Sequence, residues 1–390
     1  MKKSYRKIKA DRRHAWIRKD RESKIGEIEG LIFDCDGVIF DVSKSFRETI
    51  IRTVKWFFGT VMSVETPKIN FCHIQMFKNT GAFNNDWELT YAITLHHLTN
   101  LLANAKKIEV RDKYKGDVMT TYSFFRELGS FLGKTVKKNE GEDLEKYVND
   151  VGAGGLEAAK ERALGKLAEA WKVSVEEARS ILEHLSPFRG ELYGENIIKR
   201  FFEETYCGSK LFEEIYGVPA VFHHGKGLIE EERPIVKRAT LKEIIEIGFP
   251  PIGIASGRMR KQTTPLLEKY HLKEYFNLDA STFLEEIEGK ERELMREGIH
   301  VKLDKPNTYP LVTTASKMKV DCFAYVGDTV ADVLACLNTE AEVGCTVVSV
   351  GVLCSAENKE EVLAKFLELG CDVIIPTPDE LPKIIREVRR

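Results

Sequence analysis

Two hydrophobic patterns share this chain. From about residue 234 onward, short continuous apolar runs alternate with segments whose apolar residues recur every three or four positions. The runs are Pro251-Ile252-Gly253-Ile254-Ala255, Cys322-Phe323-Ala324-Tyr325-Val326, Val347 to Val352 and Asp372 to Ile375. Between them, Thr240 to Ile247 reads as a helix stopped at Gly248, and Lys305-Pro306 opens a helix running to about Met318. Strand and helix in alternation predict right-handed crossovers and a parallel sheet, an α/β fold. One further run, Leu31-Ile32-Phe33, stands near the start and stops on Asp34, Cys35, Asp36 and Gly37. An apolar run that ends on charge reads as a buried parallel strand that delivers acids at its C-terminal edge.

The second pattern fills the interval from 45 to 233. Ile50, Val54 and Phe57 or Phe58 recur at helical spacing over Ser45 to Phe58, and Asn85 or Asp86 caps a helix that follows. From about 105 to 190 the chain is charged and helix-prone, with Leu156, Ala159, Ala163 and Leu167 on one face. Ser174-Val175-Glu176-Glu177 is a capping-box pattern there. Asn196 to Tyr216 continues the helical run, interrupted near Gly208. Gly152-Ala153-Gly154-Gly155 lacks both a preceding strand and a following Gly-Lys-Ser/Thr, so it reads as a turn between helices and not as a phosphate loop. The His96-His97 and His223-His224 pairs are neighbours that point apart on a helix, so neither pair makes a metal site.

Composition narrows the class. The chain has 390 residues, 43% of them hydrophobic and 31% charged, which gives room for two domains with a sizeable core. A net charge of −2 exerts no overall pull toward nucleic acid or an anionic membrane. No apolar run approaches a membrane span. The eight cysteines are scattered without a C-x-x-C, and no signal peptide opens the chain, so the expectation is a cytoplasmic protein with free thiols. The first 27 residues form a basic arm, opposed only by Asp11, Asp20, Glu22 and Glu27. It reads as a solvated helix or a mobile tail, and Trp16 alone is no stacking platform for nucleic acid.

The chemistry sits where apolar runs stop. Three of them end on small polar clusters: Asp34 with Asp36, Ser256 with Gly257, and Gly327-Asp328 with Asp332 one turn on. Lys305 lies between the second and third. If the three strands are neighbours, one sheet edge gathers four carboxylates, a hydroxyl, backbone N–H groups and an ammonium. That inventory suits a hard divalent cation such as Mg²⁺ together with a phosphate group. The loop from Asn79 to Trp87, with Phe83 and Asn84, is a candidate specificity loop.

DCDGV, the ASG around Ser256, the KP at Lys305 and GDTVAD appear in this order, and together they resemble the four motifs of the haloacid dehalogenase-like (HAD) hydrolase superfamily in its phosphatase branch. The resemblance covers about residues 28–100 and 190–385. FKNTGAFNNDW and GKGLIEEERPI are further similar to a small group of histidinol-phosphatase-like members. The resemblance implies a Rossmann-like core from 28–44 and 234–390, with a helical cap from 45–233 that is enlarged over about 105–190.

Chemistry and resemblance together imply the roles. Asp34 is the nucleophile that forms an aspartyl-phosphate, and Asp36 protonates the leaving oxygen and then activates water. Asp34, the backbone carbonyl of Asp36 and Asp328 hold Mg²⁺, with Asp332 a ligand or the support of one. Ser256 and the Gly257 amide bind phosphoryl oxygens, and Lys305 neutralises them. Arg258 either binds a substrate carboxylate or phosphate or salt-bridges the cap. Dehalogenases of the superfamily lack an acid at the position of Asp36, so the resemblance implies phosphoryl transfer from a small phosphorylated metabolite. A sugar-phosphate mutase using the same intermediate is the nearest alternative. A non-catalytic module that docks partners through the basic arm and cap is the other. Such a module has no need of Asp34, Asp36, Lys305 and Asp328, and the chain carries all four.

Overall fold

The computed structural model describes residues 4–10, 13–83, 85–108, 116–135, 144–188, 196–249 and 252–389. Asn84, Pro251 and parts of the 105–190 region therefore lie outside the described residues. The chain divides into two compact units, Met1–Ser43 with Glu232–Arg390, and Lys44–Glu231.

The first unit is built on a seven-stranded sheet. Its strands are β1 (Tyr5–Ala10), β2 (Arg13–Arg18), β3 (Gly30–Phe33), β6 (Gly253–Ile254), β7 (Cys322–Gly327), β8 (Thr346–Val352) and β9 (Val373–Ile375). A separate two-stranded ribbon pairs β4 (Phe40–Asp41) with β5 (Arg233–Pro234). The order across the large sheet is β1-β2-β9-β8-β7-β3-β6, and the five strands from β9 to β6 are parallel. From β3 the chain goes to one side for β6 and then to the other for β7, so strand order reverses at β3. Open α/β sheets bind ligands at the carboxyl end of such a switch point. The strands read as continuous apolar runs because helices cover both faces: Leu31, Ile32, Phe33, Phe323, Ala324 and Val326 are all buried.

Differences from the sequence expectation have physical causes. The helix expected to open at Lys305 begins at Tyr309 and ends at Met318. Pro310 sits in its first turn, where its missing N–H costs nothing. In its described residues, with the helix Glu22–Gly26 as its last turn, the basic arm is mainly neither a solvated helix nor a mobile tail. Within it, β1 and β2 form an antiparallel hairpin whose second strand pairs with β9, adding two strands to the sheet edge. Ala15 and Ile17 alternate inward and are fully buried, while Arg6, Arg18, Arg21 and Lys24 have carboxylate partners. Arg18 and Arg21 both bridge the buried carboxylate of Asp372, at 3.3 and 3.0 Å. The cations' number hid a two-residue period.

The second unit is helical. Its described helices are Phe46–Trp56, extended by a π-turn over Phe57–Val61, then Phe71–Asn79, Asp86–Ala103, Val118–Thr135, Leu144–Val151, Gly155–Trp171, Val175–His184 and Ile197–Tyr216. Asn85 caps Asp86–Ala103 by accepting from the amides of Trp87 and Glu88. Gly208 breaks the last helix with φ +74°, against the backbone of Gly225 and Gly227 where a Cβ has no room. Phe57, Phe58, Phe77, Phe83, Phe125, Tyr147 and Phe202 are fully buried in this unit. Among the described residues, no helix is long and apolar enough to cross a membrane.

Candidate active site

The site is assembled at the carboxyl end of β3. The Asp34 amide donates to Val326 O of β7 (2.8 Å), and the Ala255 amide donates to Phe33 O of β3 (3.0 Å). The register thus sets the three polar clusters side by side, with Asp34 between Ser256 and Asp328. Beyond Asp34 the chain turns sharply: the amides of Ile39 and Phe40 donate to Cys35 O, and the Gly37 amide donates to Phe40 O. Gly37 makes the turn at φ +75°, and a Cβ on it would fall 2.0 Å from Asp328 Oδ2. No other residue fits there.

A buried ammonium ties the cluster together. Lys305 Nζ lies 2.8 Å from Asp34 Oδ2 and 2.6 Å from Asp332 Oδ1, and donates to the Tyr325 hydroxyl at 2.7 Å. The other Asp34 oxygen accepts from the Cys35 amide at 2.8 Å. Burial raises the Asp34 carboxyl above the usual carboxylate range, against the pull of Lys305. Burial works on Asp332 too, yet Lys305 and Thr329 hold its carboxyl below that range. Burial opposes the Lys305 charge, but Asp332 and Asp34 lift the ammonium well above the ordinary lysine value.

One carboxylate oxygen from each of Asp34, Asp328 and Asp332 lies within 4.8 Å of the others, a hard oxygen set of the kind Mg²⁺ takes. The three are not equivalent. Asp332 Oδ1 contacts Lys305 and the Tyr325 hydroxyl, and Oδ2 accepts from the amides of Asp328 and Thr329 and from the Thr329 hydroxyl. Thr329 in return caps the helix Val330–Val343, so Asp332 is fixed by the same turn that starts the helix. Asp328 Oδ2 accepts from the Ser355 hydroxyl at 2.6 Å. Asp36 is not part of this carboxylate set; its Oδ1 is bonded to Arg258 Nη1 at 2.9 Å.

Ser256 is buried, and its Oγ accepts from the Arg258 amide at 3.3 Å, while Gly257 is exposed beside it. Arg258, one of the expected substrate-binding residues, is enclosed instead. Its guanidinium joins Asp36 to Glu232 Oε2, the latter at 2.7 Å with both side chains fully buried. Asn79 and Phe83 belong to the helical unit. Phe83 is a core residue there, 5.1 Å edge-to-face from Phe77, and Asn79 Oδ1 accepts from Gln75 Nε2 at 2.9 Å. Phe83 therefore reads as packing, since its aromatic ring was the property that made a polar loop look like a pocket. The sequence reading did not find Glu232, Tyr325, Thr329 or Ser355. Thr329 lies within GDTVAD and Tyr325 two residues before it, so both share its signal; Glu232 lies within GKGLIEEERPI without a role assigned to it, and Ser355 carries no signal.

A family profile described as haloacid dehalogenase-like hydrolase matches residues 28–338. No curated protein is matched. Among solved structures, the chain is similar to a structural-genomics target at 18% identity, with 93% of this chain and 99% of that one covered and a TM-score of 0.59. It is also similar to a phosphatase from Thermococcus thioreducens (21% identity, 87% and 98% covered, TM-score 0.45). A predicted phosphoglycolate phosphatase from Haemophilus somnus follows at 11% identity, with 92% and 98% covered and a TM-score of 0.42. The profile spans most of the chain and both ends of the sheet edge just described, and the chain belongs to the haloacid dehalogenase-like hydrolases.

Proposed function

We propose that this protein is a Mg²⁺-dependent phosphatase that hydrolyses a small phosphorylated metabolite through an aspartyl-phosphate on Asp34. The observation that carries the reading is the contact of Lys305 with Asp34, made beside the oxygen set of Asp34, Asp328 and Asp332. A nucleophilic carboxylate needs a cation to bring it up to a phosphoryl group of its own sign, and these residues supply one and can hold another.

Asp34, Asp328 and the backbone carbonyl of Asp36 would hold Mg²⁺, which when bound offsets the charge of the phosphoryl oxygens. Asp332 stands behind them, because its oxygens already accept from four protein donors. A carboxylate oxygen of Asp34 attacks phosphorus and the ester P–O bond breaks. Asp36 gives its proton to the departing oxygen, so the alcohol leaves neutral. Water then attacks phosphorus, Asp36 takes the water's proton, and the Asp34–phosphorus bond breaks to release phosphate. Ser256 and the Gly257 amide bind phosphoryl oxygens in both steps, and Lys305 neutralises the charge that Asp34 shares with them.

The test is phosphate release from histidinol phosphate, phosphoglycolate and several sugar phosphates, with Mg²⁺ and with chelator. Release that needs the metal and is abolished by Asp34→Asn is the expected result. Transfer of phosphate to a second hydroxyl without release would replace the phosphatase with a mutase. No turnover of any ester, with Mg²⁺ bound, would favour the docking module.

A further inference from the structure

Arg258 has no open face for a substrate, and its partner Glu232 has no place in the mechanism above. From these two facts we infer that Glu232 is a positioning residue for Asp36, acting through Arg258; the inference rests on the phosphatase reading. Arg258 Nη1 bonds Asp36 Oδ1 at 2.9 Å and Nη2 bonds Glu232 Oε2 at 2.7 Å. The guanidinium also lies 5.8 Å from the Phe40 ring centre. A planar fork held at two ends cannot turn without breaking one of its bonds, so the direction of Nη1 is set by Glu232.

Glu232 is itself anchored. Its backbone carbonyl accepts from the Tyr270 hydroxyl at 2.7 Å and from Arg233 Nη1 at 2.8 Å. The series therefore runs from a fixed backbone through Glu232 and Arg258 to Asp36. Exposure separates the members: the side chains of Glu232 and Arg258 are 0% exposed and that of Asp36 is 26%. The acid that must meet a departing oxygen keeps an open side, and the groups that aim it are sealed. Glu230 and Glu231, next to Glu232 in sequence, are exposed, so burial singles out the third carboxylate of the run.

A purely structural ion pair and a positioning role make different predictions for leaving groups. An alkyl ester needs a proton on its departing oxygen, whereas p-nitrophenolate leaves without one. The experiment compares kcat/KM of the full chain for p-nitrophenyl phosphate and for the best alkyl phosphate of the panel above, in wild type, Glu232→Gln and Arg258→Lys. Both esters are measured on one preparation, so the ratio is independent of the folded fraction. The expected result is a fall in the alkyl-to-aryl ratio of roughly tenfold to a hundredfold for Glu232→Gln, part of what a general acid contributes. Arg258→Lys should shift the ratio in the same direction, because one ammonium does not span both carboxylates. The Mg²⁺ concentration for half-activation should stay unchanged. Equal losses on both esters, or no loss, would overturn the positioning role while leaving the phosphatase intact. A wild type inert toward both esters would remove the phosphatase reading and this inference with it.

Discussion

The two acids of DCDGV are each held by a buried cation, and each cation has a second, more deeply fixed carboxylate behind it. Lys305 stands between Asp34 and Asp332, and Arg258 stands between Asp36 and Glu232. The arrangements look parallel, yet the cations differ in kind. An ammonium is a compact point charge whose three N–H groups point three ways, and Lys305 uses them on Asp34, Asp332 and Tyr325. A guanidinium is a flat fork, and Arg258 uses its two ends on opposite partners. The point charge sits at the acid proposed to become covalently bonded; the fork sits at the acid proposed to move a proton, where direction matters more than charge.

The largest break in this comparison is Lys305→Met. It leaves Asp34 and Asp332 buried without their shared cation, which should cost about 3–5 kcal/mol of stability in urea unfolding. On the phosphatase reading, kcat should also fall roughly a hundredfold to a thousandfold, as for loss of one transition-state donor. Intact turnover in a folded Lys305→Met protein would show that the ammonium is structural only.

Arg258→Met comes next. Glu232 would be stranded at a fully buried position, again at about 3–5 kcal/mol, and adding Glu232→Leu should recover most of that loss because neither charge then remains buried. The double variant separates the roles, since stability should return and the activity on alkyl esters should not. A double variant as unstable as the single one would mean that the pair packs something its charges do not explain.

A pH titration of stability sharpens the contrast inside the Lys305 cluster. The Asp332 carboxyl is held below its ordinary range, so its stabilising contribution is present above the unfolded value of about 4 and is lost as pH falls through the lowered native value. The gap in urea midpoint between wild type and Asp332→Asn should therefore be full at neutral pH and close only in acid. Lys305 is shifted upward, so its contribution is full below an unfolded value of about 10.4 and fades as pH rises through the native one. The gap to Lys305→Met should persist to that alkaline limit. A gap that closes near neutrality in either case would contradict these assignments.

The smallest effect belongs to Tyr325→Phe. The ring stays, but Lys305 loses an acceptor and Ala255 O loses the hydroxyl that donates to it at 3.0 Å. A cost of about 1 kcal/mol is expected, readable as a shift in midpoint at constant slope.

These two clusters also mark how far the sequence could be read. In the Lys305 cluster the acids were legible because they end apolar runs: Leu31-Ile32-Phe33 stops on Asp34, and Cys322 to Val326 stops on Gly327-Asp328, whereas Lys305 ends no such run and was read from the KP motif of the family resemblance. The burial of Glu232 was not legible, although the residue lies within GKGLIEEERPI. It closes a run of three glutamates before Arg233-Pro234, a composition that reads as a solvated surface, and only tertiary placement buries the third. The N-terminal strands were missed for a related reason. In Arg13 to Arg18 the buried apolar residues, among those described, are Ala15 and Ile17, too small a signal beside the surrounding cations. Phe83 shows the converse, an aromatic in a polar loop that the chain packs into the core of the helical unit.

The hairpin has a consequence in time as well as in space. Tyr5 bonds the carbonyl of Cys371, 366 residues further along, at 2.9 Å. On a growing chain, which lengthens at about 5–20 residues per second, β1 and β2 can pair with each other at once, but the open edge of β2 must wait until Val373–Ile375 has been made before β9 exists to cover it. The abundant lysines and arginines of that segment then have a use beyond the folded state: a hairpin whose edge must stay open stays soluble longer when its side chains repel other strands.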